Sequence, residues 1–206
     1  MISGIIIFGE MGSGKDELAD LLKRSIKNSE VYKLGMLCRD IMRIVKVNHN
    51  WIDKERELGQ TIADKLREID QNIMNDYVLS LIFEHSNCDP SKNKSDTLTN
   101  QLGNENIFPI VCGGRTKEDL NYWRKKGFIV VGIKTDERTR KERLKKRNDE
   151  KNYEKDFEHI TELEAKEIVS QDCDYCFSND DSLEDLELKV KDFLKECEVL
   201  STKQSC

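Results

Sequence analysis

No apolar run in the 206 residues approaches the roughly 20 residues of a membrane-spanning helix, so none is expected. Basic residues do not predominate: 34 Lys and Arg stand against 40 Asp and Glu, a net charge of −6. The chain therefore has no overall positive field to draw nucleic acid. Histidine is scarce, with three in all. Cys173-Asp174-Tyr175-Cys176 is a C-x-x-C with no matching pair and only His159 nearby, too few ligands for a zinc site. The seven cysteines are odd in number and lack the spacing of a small disulfide scaffold, so reduced thiols are expected. Met1-Ile2-Ser3-Gly4 lacks the basic start of a signal peptide, which makes the cytoplasm the expected compartment. No internal repeat is visible. The length suits one domain, and a charged fraction of 36% implies a surface rich in salt bridges.

What is present begins at once. Ile5-Ile6-Ile7-Phe8 is an apolar run that stops at Gly9, and four residues intervene before Gly14-Lys15. An amphipathic pattern follows through Leu18, Ala19, Leu21, Leu22 and Ile26. Strand, glycine-rich loop and helix in this order nearly fit G-x-x-x-x-G-K-[ST], the phosphate-binding P-loop. Glycines let the backbone turn its N–H groups inward around phosphate oxygens, and the new helix points its positive end at them. Gly12, Ser13, Gly14, Lys15 and Asp16 are thus the candidate nucleotide-binding residues. Lys15 is the candidate catalytic cation, able to follow a transferred phosphoryl group. The plainer alternative is a tight turn with an exposed lysine. Asp16 stands where a hydroxyl normally ligates Mg²⁺; a carboxylate is also a hard oxygen ligand, so Asp16 is the candidate metal residue.

The remaining pattern alternates strands with helices. Strands are expected at 2–8, 31–34, 107–112, 128–133 and 175–177. Helices are expected at 15–27, 36–45, 117–126 and 135–148, with a last one capped by Ser182 and Asp185. Residues 52–83 are helical throughout, with a break expected near Asp70. Residues 86–106 are polar and read as a loop within the domain. Pro109 is awkward inside a central strand, because it removes a ladder donor. The fold class is α/β: about five parallel strands with helices on both faces, a three-layer arrangement with ligands at the carboxyl edge. Residues 1–200 are taken as one domain, with an acceptor-side helical region at 36–85 and a lid at 135–158. Arg39 and Asp40 either face the phosphate site or form a surface ion pair. Arg143 and Arg147, four apart on the basic helix, can clamp phosphoryl oxygens from a closing lid; the alternative is a solvated charged face.

Together these motifs resemble the nucleoside-monophosphate-kinase group of P-loop proteins. The chain is most similar to the phage-type deoxynucleoside monophosphate kinases, and more distantly to dephospho-coenzyme A kinases and animal-type phosphomevalonate kinases. The segments that carry the resemblance are Gly12 to Asp16, Leu58 to Glu68, Val111 to Arg115, and His159-Ile160-Thr161-Glu162 with Ser178 to Glu184. The resemblance implies transfer of a phosphoryl group from ATP, with Mg²⁺, to a small phosphorylated acceptor, by a monomer or homodimer without nucleic-acid or membrane partners. It gives Arg115 to the acceptor phosphate, with Arg39 and Arg67 as further candidates. Arg143 and Arg147 would serve catalysis from the lid, and Asn179 would touch adenine. At one point the chain departs from the pattern. Relatives commonly carry Asp near Gly113, whereas this strand runs into Cys112-Gly113-Gly114. Asp16 or Asp40 is left to compensate. The alternatives are a kinase for another acceptor, such as dephospho-coenzyme A, or a nucleotide-binding protein without transferase activity.

Overall fold

The opening apolar run becomes a central strand. In the computed structural model, which describes residues 3–46, 55–86, 107–146 and 159–203, β1 (Gly4–Phe8) is buried along its whole length. Apolar side chains on both faces suit a strand covered on both sides. There follow α1 (Lys15–Ser25), β2 (Ser29–Lys33), α2 (Met36–Lys46), α3 (Glu55–Ile69), α4 (Ile73–His85), β3 (Phe108–Gly114), α5 (Lys117–Lys125), β4 (Phe128–Lys134), α6 (Glu137–Lys146), α7 (Ile160–Gln171), β5 (Tyr175–Ser178) and α8 (Leu183–Lys203). The five strands form one sheet in the order β2-β3-β1-β4-β5, and every pairing is parallel. This is the P-loop kinase-like three-layer fold.

Strand alternation divides the core in two. Ile6, Phe8, Tyr32, Val111 and Val130 face one side and pack with Val78 and Ile82 of α4, Leu120 and Trp123 of α5, and Ile168 of α7. Ile5, Ile7, Ile110, Val131 and Ile133 face the other side and pack with Leu18 and Leu22 of α1 and Val190 and Phe193 of α8. β1 lies between β3 and β4, where the strand order reverses, so the loop after it opens at the switch point.

Several boundaries differ from the sequence pattern for local reasons. β3 starts at Phe108 and Pro109 is its second residue, although β3 is an inner strand. The Phe108 N–H donates to Asn28 on the β2 side, and alternation turns the Pro109 nitrogen toward β1, whose pairing with β3 begins only at Ile5 and Ile110. The missing donor thus falls at the end of the ladder. The long helical pattern breaks after Ile69, as expected, and resumes at Ile73. α7 was not assigned from the sequence; His159 caps it, and its inner face is Ala165, Ile168 and Val169. The final helix has the expected start, with Asp185 accepting from the Ser182 hydroxyl at 2.7 Å and Ser182 Oγ accepting from the Asp185 amide. Residues 87–106 of the polar loop, and 147–158 of the expected lid, lie outside the described residues.

A buried polar chain ties α4 to α5. Trp123 Nε1 donates to Asn75 Oδ1 at 2.8 Å, and Asn75 Nδ2 donates to Asp119 Oδ1 at 2.9 Å. All three residues are fully buried. Truncation of Asn75 would strand a donor and an acceptor away from water. The Asn75→Ala variant is expected to lose about 2–4 kcal/mol of stability in urea titration followed by tryptophan fluorescence. A loss below about 0.5 kcal/mol would contradict the network's role.

Candidate functional site

The glycine-rich loop leaves β1 at Gly9, where a Cβ would lie 2.8 Å from the Ile133 carbonyl, so only glycine passes there. Gly14 closes the loop at φ 94° and is the residue before α1. That backbone conformation favours glycine, and the Asn179 amide fills the space a Cβ would need. The loop is held from outside by four side chains. Glu162 accepts from the Met11 N–H at 2.7 Å, and Arg140 Nη1 donates to the Met11 carbonyl at 3.4 Å. Asn179 Nδ2 donates to the Ser13 carbonyl at 2.9 Å, and the Thr135 hydroxyl donates to the same oxygen at 3.0 Å. Arg140 also pairs with Glu10 at 2.9 Å and is almost fully buried. Breaking such a pair by removing one partner costs about 3–5 kcal/mol.

Lys15 folds back over the loop and donates to the Glu10 carbonyl at 2.8 Å. Burial, and next the positive charge of Arg115, lowers its pKa to about 7. The first α1 amides, at Lys15, Asp16 and Glu17, have no intrahelical acceptor; the Leu18 N–H is the first to find one, at the Gly14 carbonyl. Neutral donors and an under-protonated ammonium thus face the same space, a ready anion site.

Beside the loop lies a cavity of about 490 Å³ lined by Lys15 and Asp16 of α1, Arg39 of α2, Arg67 of α3, and Arg115. Lys33 of β2, Asp64 of α3 and Glu162 of α7 also line it. Five basic and three acidic side chains make this an electropositive recess in a chain of net charge −6. Arg67 approaches Asp119 at 3.9 Å, while its Nε is buried without a hydrogen-bond partner among the described residues. Arg115 pairs with Glu162, and its backbone N–H donates to Asp119 at 3.0 Å. Asp16 is exposed and pairs with Lys33. Leu34, Cys38, Met42 and Met74 give the cavity an apolar wall. A larger groove, about 640 Å³, runs along the outer face of α5 and has no loop residue in it.

The residues singled out in the sequence fall as follows. Arg39, Arg67 and Arg115 meet Lys15 and Asp16 in one cavity. Arg143 is drawn to the loop: its Nη2 donates to the Asn179 carbonyl at 2.9 Å. Asn179 itself is buried, with its side-chain amide given to Ser13. Arg147 lies outside the described residues. Asp40 turns to α4, accepting from the Tyr77 hydroxyl at 2.8 Å and pairing with Arg43 at 3.1 Å, so of the adjacent pair it is Arg39 that lines the cavity. Burial pushes the Cys112 thiol up to about 12, so it supplies no negative charge at the end of β3. Cys173 packs beside Gly132, its thiol likewise pushed up to about 12, and no cluster of metal-ligating side chains occurs among the described residues. Sequence reasoning missed Arg140, one of seven basic residues in its stretch, and Lys33, in a short strand without a motif. It gave Glu162 no role, although the His159–Glu162 segment was noted. No described helix is long and apolar enough to cross a membrane.

A family model described as "AAA domain" matches residues 5–169. No curated protein matches the sequence. Among solved structures, TT1252 from Thermus thermophilus is 18% identical with a TM-score of 0.59, over 95% of this chain and 98% of that one. A gluconokinase from Sinorhizobium meliloti 1021 is 11% identical with a TM-score of 0.54, over 99% and 98%. Shikimate kinase from Bacteroides thetaiotaomicron is 12% identical with a TM-score of 0.50, over 95% and 99%. At these identities the likeness is one of fold.

The lowered Lys15 pKa has a signed consequence for stability. The unfolded lysine keeps a value near 10.5, so between about 7 and 10.5 the unfolded chain binds more protons and stability from this group rises with pH. Below about 7 both states carry the ammonium, and the full penalty of its partial burial is present. Lys15→Met is therefore expected to melt above the wild type at pH 6, with the gap closing toward pH 10, in thermal scans at both values. A gap that is constant with pH would show that Lys15 carries its charge equally in both states.

Proposed function

The chain belongs to the AAA-domain family, matched over residues 5–169, and from that premise we propose that it transfers the γ-phosphoryl group of ATP to a nucleoside or deoxynucleoside monophosphate. The observation that carries this reading is the cavity in which Arg39, Arg67 and Arg115 converge beside Lys15 and the loop. Three guanidinium groups suit an anionic acceptor, and arginine matches the oxygens of a phosphate bidentately. The recess is within the usual size range for small-ligand sites, and its apolar wall suits a flat base.

In this reading the loop amides and Lys15 hold the β- and γ-phosphates. The acceptor phosphate, fixed by the three arginines, attacks the γ-phosphorus through one oxygen as the bond to the β-phosphate oxygen breaks. No covalent enzyme intermediate is formed, so the chain contributes position and positive charge. Negative phosphates return Lys15 to its ammonium form, and that charge stabilises the transferring group. Arg143 and Arg147 would act from the lid, Arg143 already held against Asn179. Asp16 fits Mg²⁺ as an exposed hard-oxygen donor at the edge of the cavity, with Lys33 as the partner it would give up. The ion would neutralise phosphate charge there. We assign the activity to one domain, residues 1–200, in the cytoplasm.

A second reading has its own support. β3 ends in a neutral thiol and two glycines, and Asp16 is paired with Lys33, so nucleotide binding without transfer is the alternative. Assay of ADP release against a panel of mononucleotides and dephospho-coenzyme A separates the two. Acceptor-dependent ADP formation is expected, with Lys15→Ala reducing kcat by at least about 100-fold. Arg67→Ala is expected to raise the acceptor KM about 10-fold or more, as loss of a charged hydrogen bond implies. ATP binding without turnover on any acceptor would favour the second reading.

A further inference from the structure

Glu162 touches both halves of the site. It stands in the first turn of α7, almost fully buried. One carboxylate oxygen accepts from the Met11 N–H of the phosphate loop at 2.7 Å. The other pairs with Nη1 of Arg115, on the opposite wall. Neither partner is near it in sequence. A buried carboxylate shared in this way is not two independent bonds. Any phosphate that draws the guanidinium toward itself leaves more of the negative charge for Met11. Any shift of the loop changes how firmly Arg115 is held.

We propose that Glu162 is a positioning residue that links occupancy of the phosphate loop to the orientation of Arg115. The link rests on the reading above only in calling Arg115 an acceptor group. Arg115 has five N–H donors in a fixed fork, so pairing one edge with Glu162 decides which edge is turned to the cavity. Because binding coupling is reciprocal, filling the loop tightens the acceptor side and filling the acceptor side tightens the loop.

The test is a double-mutant cycle read on the donor side. ADP is titrated calorimetrically into the wild type, Arg115→Ala, Glu162→Gln and the double variant. Arg115→Ala is expected to change ADP affinity by about fivefold in the presence of Glu162, and by much less in the Glu162→Gln background. The same factor in both backgrounds, or none in either, overturns the link. A second readout is the Met11 amide resonance in protein carrying isotope-labelled methionine. It is expected to move in Arg115→Ala, through Glu162; an unmoved resonance would show that Glu162 does not pass the change at Arg115 to the loop. Should Glu162→Gln not fold, that resonance decides alone, and an unmoved signal overturns the proposal. Intact coupling without turnover on any monophosphate would support the link and sink the kinase reading, so the two fail separately.

Discussion

The peptide groups of Met11 and Ser13 are gripped by side chains from the far end of the chain, and the geometry of the site depends on that grip. A glycine-rich loop has little conformational preference of its own. Here its shape is imposed: Glu162 and Arg140 take the two ends of the Met11 residue, and Thr135 and Asn179 share the Ser13 carbonyl. Each neutral bond contributes about 1 kcal/mol and each charged one about 1.5–3 kcal/mol. Their combined effect is to fix where the loop's remaining amides point, which is what an anion site requires.

Charge is distributed to the same end. An acidic chain concentrates five basic side chains around one recess, and the buried network behind it keeps two of them in place. Asp119, fully buried, accepts from the Arg115 backbone and lies 3.9 Å from Arg67, while Asn75 and Trp123 complete its surroundings. A low-dielectric wall behind these arginines strengthens their field in the cavity, and the Arg115 charge adds to burial in lowering the Lys15 pKa.

The fold was legible where local patterns were strong. The apolar strands, the break after Ile69 and the cap at Ser182 all follow from short-range chemistry. Pro109 was awkward in the sequence only because strand pairing, which decides whether its nitrogen needs a partner, is not local. Residue types at the site were legible in the same uneven way. The loop carries a motif, but which of seven basic residues between Arg138 and Arg147 would be buried depends on where α6 crosses Gly12. Arg140 therefore had no signal. Glu162 belonged to a noted segment, yet the two partners its carboxylate brings together come from distant parts of the sequence. Lys33 and Asp16 meet because β2 and the start of α1 flank one cavity, a fact of topology.

The Asn179 amide seated against Gly14 has a consequence for the order in which the molecule is made. The loop leaves the ribosome well before the residue that completes it, 166 positions away from Ser13, with Glu162, Arg140 and Thr135 also more than a hundred residues downstream. Such distant closures are slow steps in folding. The emerging protein can therefore pair β1 with β3 and β4 and bury much of its interior while its cradle is still unfinished. The cradle is complete only once Asn179, the residue after β5, has arrived.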